Sequence, residues 1–412
     1  MTAGAVVFAG VALANLSNAG FNLIAGRSLG PGRYGDLAAL LAVLGLVAFP
    51  LGAAQYNIAS WVAALAARRD ARGVAAIYRR SITVAFIVGI SASAVLILLT
   101  IPIRRLLGVQ STAAVLLLAV AAFPAPFAPA ILGLTQGLER FVLFAVAQAA
   151  SPFVRFALLP IALAAGFGVS GAMGVTVVAS FISVLVPAIV LKAWFMRDPG
   201  PSPITRRQAV RAISPVTIGI VSLTSLTSVD VVVAKIAFHA NAAGIYGGAS
   251  LIGRLILYVP ASIASVLLPK VSSRAAVGRS SSDIVLKSLV ATALLCVLAT
   301  LVYVAVPRLL LVVAFGSKYT AAQSFLWLFG VAMTGYALVN VLFVYHIARG
   351  STLVPLMLGA AALTQLVLFA AIHESPRALL IVSSAVAYGL LGALLVKTWW
   401  SSGPKVFSSF RE

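Results

Sequence analysis

The sequence predicts an all-α polytopic membrane protein of about twelve transmembrane helices, arranged as two pseudo-symmetric six-helix bundles. Three observations carry this prediction. Of 412 residues, 62% are apolar and 9% charged, against about 25% charged in a soluble domain, and the mean hydropathy is +1.11. The apolar residues gather into unbroken runs of the ~20 residues that cross a bilayer as a helix, not into the shorter alternating segments of a β-barrel. Landmarks of the first half of the chain also recur in the second. So few charges cannot cover a water-facing surface, which excludes a disordered chain, a coiled coil, a disulfide scaffold and a secreted globular enzyme.

In order, the runs are 3–25, 36–58, 81–103, 112–134, 141–166, 170–195, 213–238, 243–268, 289–311, 322–346, 352–373 and 376–398. The first has no cation ahead of it and is expected to be a retained helix, not a cleaved signal. Gly30, Pro31 and Gly32 mark a turn before the second. The fourth holds Pro124, Pro126 and Pro129 within six residues. Each ring removes a backbone donor and frees a carbonyl, so the run reads either as a helix broken beside a cavity or as a simple kink. Between the sixth and seventh runs, Arg197-Asp198-Pro199-Gly200-Pro201-Ser202-Pro203 reads as a polar linker dividing an N-terminal bundle, 1–200, from a C-terminal one, 201–412.

The net charge is +21, from 29 Lys and Arg against 8 Asp and Glu. In a soluble domain this would suggest a nucleic-acid partner. Here most cations fall between apolar runs, and no aromatic-basic motif or zinc spacing accompanies them. With the N-terminus inside, the cytoplasmic loops and tail carry 19 cations, from Arg68 through Arg411. The outer loops carry six: Arg27, Arg33, Arg104, Arg105, Lys318 and Arg377. Cytoplasmic loops are the Lys/Arg-rich ones, so the bias places both termini in the cytoplasm. The first helix alone, with cations only after it, favours the opposite orientation. The lone Cys296 allows no intrachain disulfide.

The halves repeat at about half the chain length. Tyr34-Gly35 and Tyr246-Gly247 are 212 residues apart, Pro102 and Pro307 are 205 apart, and Arg140 and Arg349 are 209 apart. The first of these spacings sets Asn18 opposite Asp230. Six spans per half is an even number, so both halves enter the membrane from one side and their pseudo-axis lies along the membrane normal.

Ionisable groups inside a bilayer cost about 2.5–3.5 kcal/mol each on insertion scales and face cavities, pathways or partners. Arg155 and Arg254 fall near the middles of the fifth and eighth spans, and Asp230 in the seventh; Lys235 and Arg308 lie close enough to helix ends to snorkel. The Arg pair reads either as an anion-facing lining or as a structural ion pair. Asp230 is the one acid available in the membrane, so at least one Arg should lack a carboxylate partner, which favours the anion-facing cavity. Asn15, Asn18 and Asn22 share one face of the first helix, as helix glue or as the wall of a wet pathway. Scattered carboxylates offer no site for Mg²⁺, the three histidines show no ligand spacing, and no phosphate-binding loop for ATP is present. Neither catalytic residues, nor a metal site, nor an organic cofactor is therefore expected.

Ala25-Gly26-Arg27-Ser28-Leu29-Gly30-Pro31-Gly32-Arg33-Tyr34-Gly35 is similar to the R-x-L-G-P-x-x-Y-G signature after the first helix of polysaccharide flippases, members of the multidrug/oligosaccharidyl-lipid/polysaccharide exporter superfamily. The nine-residue step from Arg27 to Asp36 resembles that of the related lipid II flippases, and Phe315-Gly316-Ser317-Lys318-Tyr319 resembles the family's F-G-x-x-Y element. The resemblance implies two six-helix bundles around a central cavity, alternating access in a bacterial plasma (inner) membrane and a polyprenyl-diphosphate-linked oligosaccharide as cargo, for cell-surface polysaccharide synthesis, with the synthesis machinery as a possible partner. On this reading Arg27, Arg155 and Arg254 engage phosphate, Asn18 and Asn22 line the path, and Asp230 couples an ion (H⁺ or Na⁺) or balances an Arg. The alternatives are a cation-coupled multidrug exporter on the same fold and an integral-membrane glycan-transfer enzyme.

Overall fold

The computed structural model describes residues 3–48, 52–198, 200, 206–257 and 282–402. Among them are fifteen α-helices and no strand. The chain divides into two compact units, Met1–Thr217 and Ile218–Glu412. Among the described residues, ten helices are long and apolar enough to cross a membrane. One of them, α1 (Ala3–Ala48), has 46 residues, about twice the number a bilayer needs.

Helix α1 corrects the expected turn between the first two spans. Only Gly30 leaves helical geometry, with φ 72° and ψ 171°. This is a backbone region in essence restricted to glycine. Pro31 follows at the first position of the next helix, where its missing N–H costs nothing. Two helices therefore abut with no loop between them, and the second begins near residue 31, not 36. The remainder of the expected second span is shared with α2 (Gly52–Ala67); residues 49–51 lie outside the described residues.

The rest of the first unit is α3 (Ala71–Leu98), α4 (Thr100–Leu106), α5 (Thr112–Ala122), α6 (Phe127–Gly137), α7 (Phe141–Ala164) and α8 (Gly168–Met196). Helix α3 starts ten residues earlier than its apolar run, because the Asp70 carboxylate caps it by accepting from the Gly73 N–H at 2.8 Å. The triple-proline run is a true break: a turn over 123–126 separates α5 from α6. In this unit α1 packs mainly on α7, α7 on α8, and α2 on α6. Ile58, Val62, Ile77, Ile131, Leu134 and Leu191 form its core.

The second unit comprises most of α9 (Arg206–Ala237), then α10 (Ala240–Arg254), α11 (Ser282–Ala305), α12 (Pro307–Phe315), a short 3₁₀ turn over Ser317–Ser324, α13 (Leu326–Ala348), α14 (Leu353–Ala371) and α15 (Pro376–Ser402). Helix α13 is its axis, flanked by α10, α11 and α15, whereas α11 leaves Leu294, Leu298 and Leu301 exposed, as a lipid-facing helix does. The expected eighth span, 243–268, is described only as far as residue 257. Lys270, Arg274 and Arg279 of the following loop, and Ser202 of the linker, also lie outside the described residues.

Candidate functional site

In the first unit the polar side chains meet where α1 lies along α7. Arg155 sits on α7 between Pro152 and Pro160, each of which removes one rung of the helix ladder. Its guanidinium carbon lies 4.3 Å from the centroid of the fully buried Phe21 ring of α1, within cation–π range. Its Nε is sealed from solvent and has no hydrogen-bond partner, and among the described residues no ion pair is found for it. An aromatic face lowers the cost of a cation in an apolar bundle, but it does not neutralise the charge.

One residue along α1 the pattern changes. The Asn22 amide donates to the Asn18 carbonyl at 2.8 Å and its oxygen accepts from the Tyr34 hydroxyl at 3.2 Å. Tyr34 is buried beyond the Gly30 break, so this bond ties the two segments of α1 together. Asn15 is exposed and Asn18 half-buried. Arg27 is exposed six residues past Phe21, about 9 Å further along the helix. Arg155 and Asn22 therefore share one region of α1, and Arg27 stands apart at the end of the segment.

In the second unit Asp230 of α9 is buried and doubly engaged. Its Oδ1 accepts from Arg254 at 2.5 Å and its Oδ2 from the Tyr246 hydroxyl at 2.8 Å. Tyr246 and Arg254 are eight residues apart on α10, so both face the same stretch of α9. Arg254 keeps 23% of its side chain exposed while Asp230 keeps 2%, and the Arg254 Nε is buried without a partner. Here, unlike at Arg155, the intramembrane cation is balanced.

Two features of this unit escaped the sequence reading. Gln365 of α14 is buried, donates to the Leu226 carbonyl of α9 at 3.1 Å and accepts from the Tyr336 hydroxyl at 3.1 Å. It braces the helix that carries Asp230. A lone Gln within an apolar span was the signal available for it. The second feature is the packing of the two family-like motifs. Gly248, just after Tyr246-Gly247, has the ring of Tyr319 within 2.8 Å of where its Cβ would stand. Tyr319 and Phe315 are buried with ring centroids 5.0 Å apart. The Y-G and F-G-x-x-Y elements therefore form one joint.

Tyr34 bonds to Asn22 in the first unit and Tyr246 to Asp230 in the second, so each Y-G tyrosine holds a polar side chain of the helix before it. The 212-residue spacing sets Asp230 opposite Asn18, one helical turn from Asn22.

The family described as "Polysaccharide biosynthesis protein" matches residues 2–276. This chain belongs to that family. Among solved structures it is similar to an inward-facing multidrug-resistance MATE transporter of the MOP superfamily, at 18% identity and a TM-score of 0.75 over 94% of this chain and 93% of that one. It is also similar to the eukaryotic MATE transporter AtDTX14, at 15% identity and a TM-score of 0.66 over 97% and 94%. A third is a MOP-superfamily transporter from Pyrococcus furiosus whose binding pocket is described as having reverse polarity, at 18% identity and a TM-score of 0.59 over 96% and 92%. No curated protein matches. The chain thus belongs to the polysaccharide-biosynthesis family and shares the fold of these MOP-superfamily transporters, with several membrane-spanning helices.

Proposed function

We propose that this member of the polysaccharide-biosynthesis family flips an anionic polyprenyl-diphosphate-linked oligosaccharide across a bacterial plasma membrane by alternating access, with both termini cytoplasmic and the chain organised as the bundles 1–200 and 201–412. The observation that carries this reading is Arg155: a cation inside the bundle, held against Phe21, with a buried unpartnered Nε and, among the described residues, no acid paired with it. A diphosphate entering the site supplies the missing anion, and the planar guanidinium matches its paired oxygens. Asn18 and Asn22 give the same face hydrogen-bonding capacity, and Arg27 adds a second cation at the end of the segment. Arg254 is already neutralised in the ground state, so cargo reaches it only by competing with Asp230. Asp230, as the partner that holds Arg254, is the candidate for ion coupling (H⁺ or Na⁺).

The multidrug-exporter reading draws on the MATE-like fold. A cationic drug needs an acid to receive it, and Asp230, the acid of the membrane interior, is engaged by Arg254 and Tyr246.

Cargo competition distinguishes the two. In proteoliposomes of the purified protein, a fluorescent short-chain polyprenyl-diphosphate disaccharide should cross the bilayer. Unlabelled polyprenyl diphosphate should compete, while neutral polyprenol and the cation ethidium should not. Ethidium transport without diphosphate transport would overturn the proposal. Release of free glycan by the pure protein would point to the enzyme alternative instead.

A further inference from the structure

The first unit holds a chamber that the transport reading does not use. It lies beside the turn between α5 and α6 and has a volume of about 390 Å³, inside the range of small-ligand sites. Phe86 of α3, Phe123 of the turn, Phe127 of α6 and Phe181 of α8 line it. Phe123 is at their centre, with ring centroids 5.8 Å from Phe86, 5.6 Å from Phe127 and 6.1 Å from Phe181. The broken helix therefore opens a space walled by rings.

One end of the chamber is cationic. Lys192, in the last turns of α8, is part of the lining, as is Tyr78 near the start of α3. Arg79 fastens these two helix ends together: its Nε donates to the Phe195 carbonyl at 2.6 Å, and its guanidinium lies 5.5 Å from the Phe195 ring centroid. The Gly200 N–H meets the Arg72 carbonyl, tying the chain just after α8 to the start of α3. The rest of the mouth is apolar and exposed. Phe86 and Leu185 line the chamber, and Ile87, Val186 and Ile189 continue it as an exposed apolar band.

An apolar chamber opening on hydrocarbon, with cations at one rim, has the polarity of a phospholipid: acyl chain inward, phosphate on the ammonium. We propose that this chamber binds an anionic phospholipid of the surrounding bilayer, with one acyl chain among the four phenylalanine rings and its phosphate at Lys192. The bound chain would fill the space left by the helix break and hold α3 to α8. A bilayer lipid is favoured over the transported cargo because the chamber is small and its mouth continues into an exposed apolar surface. The site stands whether or not the proposed cargo is correct.

The test uses the full chain purified in mild detergent, titrated with dioleoyl phosphatidylglycerol or dioleoyl phosphatidylcholine and read by native mass spectrometry. Phosphatidylglycerol should bind preferentially. Lys192→Gln should weaken it about tenfold, the loss of one charge-assisted contact, with phosphatidylcholine unchanged and Lys192→Arg close to the parent. Ala188→Phe, one turn from Lys192 in the chamber wall, should weaken both lipids. Because that variant can perturb folding, a phosphatidylglycerol carrying a photoreactive diazirine in its acyl chain is cross-linked to the unmodified protein. The labelled peptides should come from α3, the Phe123–Phe127 segment and α8. Equal retention of the two lipids, or labelling elsewhere, would overturn the proposal. So would displacement of phosphatidylglycerol from these peptides by polyprenyl diphosphate, because the chamber would then belong to the cargo.

Discussion

Arg155 and Arg254 look alike in the sequence, each an arginine inside an apolar span, and they have opposite surroundings in the fold. Arg254 completes an ion pair and Arg155 stacks on a ring. Their variants should separate accordingly. Arg254→Ala leaves the Asp230 carboxylate buried without its cation, a change that costs about 3–5 kcal/mol in other buried pairs. Membrane abundance and detergent melting temperature should fall, and Asp230→Asn in the same chain should restore much of both. A double variant no more stable than Arg254→Ala alone would show that the pair is not what Arg254 contributes. Tyr246→Phe removes one hydrogen bond to Asp230 and should lower the melting temperature by the equivalent of about 1–3 kcal/mol, because Asp230 is then left with a single partner. The sequence made the charge arithmetic legible, with more intramembrane cations than acids. It did not reveal which Arg would be balanced, because that depends on α10 folding back along α9.

At the scale of elements, two joints are set by glycine, and each makes a prediction. Gly30 has a backbone conformation closed to other residues, so Gly30→Ala should cost about 1–3 kcal/mol and disturb the Tyr34–Asn22 bond across the break. The melting temperature should fall, and Tyr34→Phe should cost less in the Gly30→Ala background than in the parent protein. Gly248→Ala pushes a methyl into the Tyr319 ring and should destabilise by roughly 1–3 kcal/mol through overpacking. Tyr319→Leu should relieve it in the double variant if contact with that ring is the cause. These motifs were readable as short strings. The expected turn at residues 30–32 was wrong because a positive-φ glycine followed by proline can join two helices end to end as well as form a loop. The broken α5–α6 helix was legible from three prolines, but the ring-lined chamber beside it was not, because its walls come from helices far apart in sequence.

At the scale of the whole molecule, the apolar runs made the helix count nearly readable: ten spanning helices are described, one holding two spans end to end, and the expected eighth span is described only as far as residue 257. The distribution of cations gives the topology proposal its own test. In intact cells, a cysteine at Ser317 should react with a membrane-impermeant maleimide from outside and one at Ser202 should not; the reverse pattern would invert the molecule. The central claim is that the unbalanced charge of Arg155 receives an anionic cargo. The most direct measurement is flipping of the polyprenyl-diphosphate disaccharide by Arg155→Lys, Arg155→Ala and Arg155→Glu proteins reconstituted at equal, verified abundance. Lys keeps the charge without the planar fork and should retain part of the activity. Ala should lose about ten- to a hundredfold, the equivalent of one charge-assisted contact, and Glu should be inactive. Parental flipping by the Glu variant at normal abundance would contradict the account.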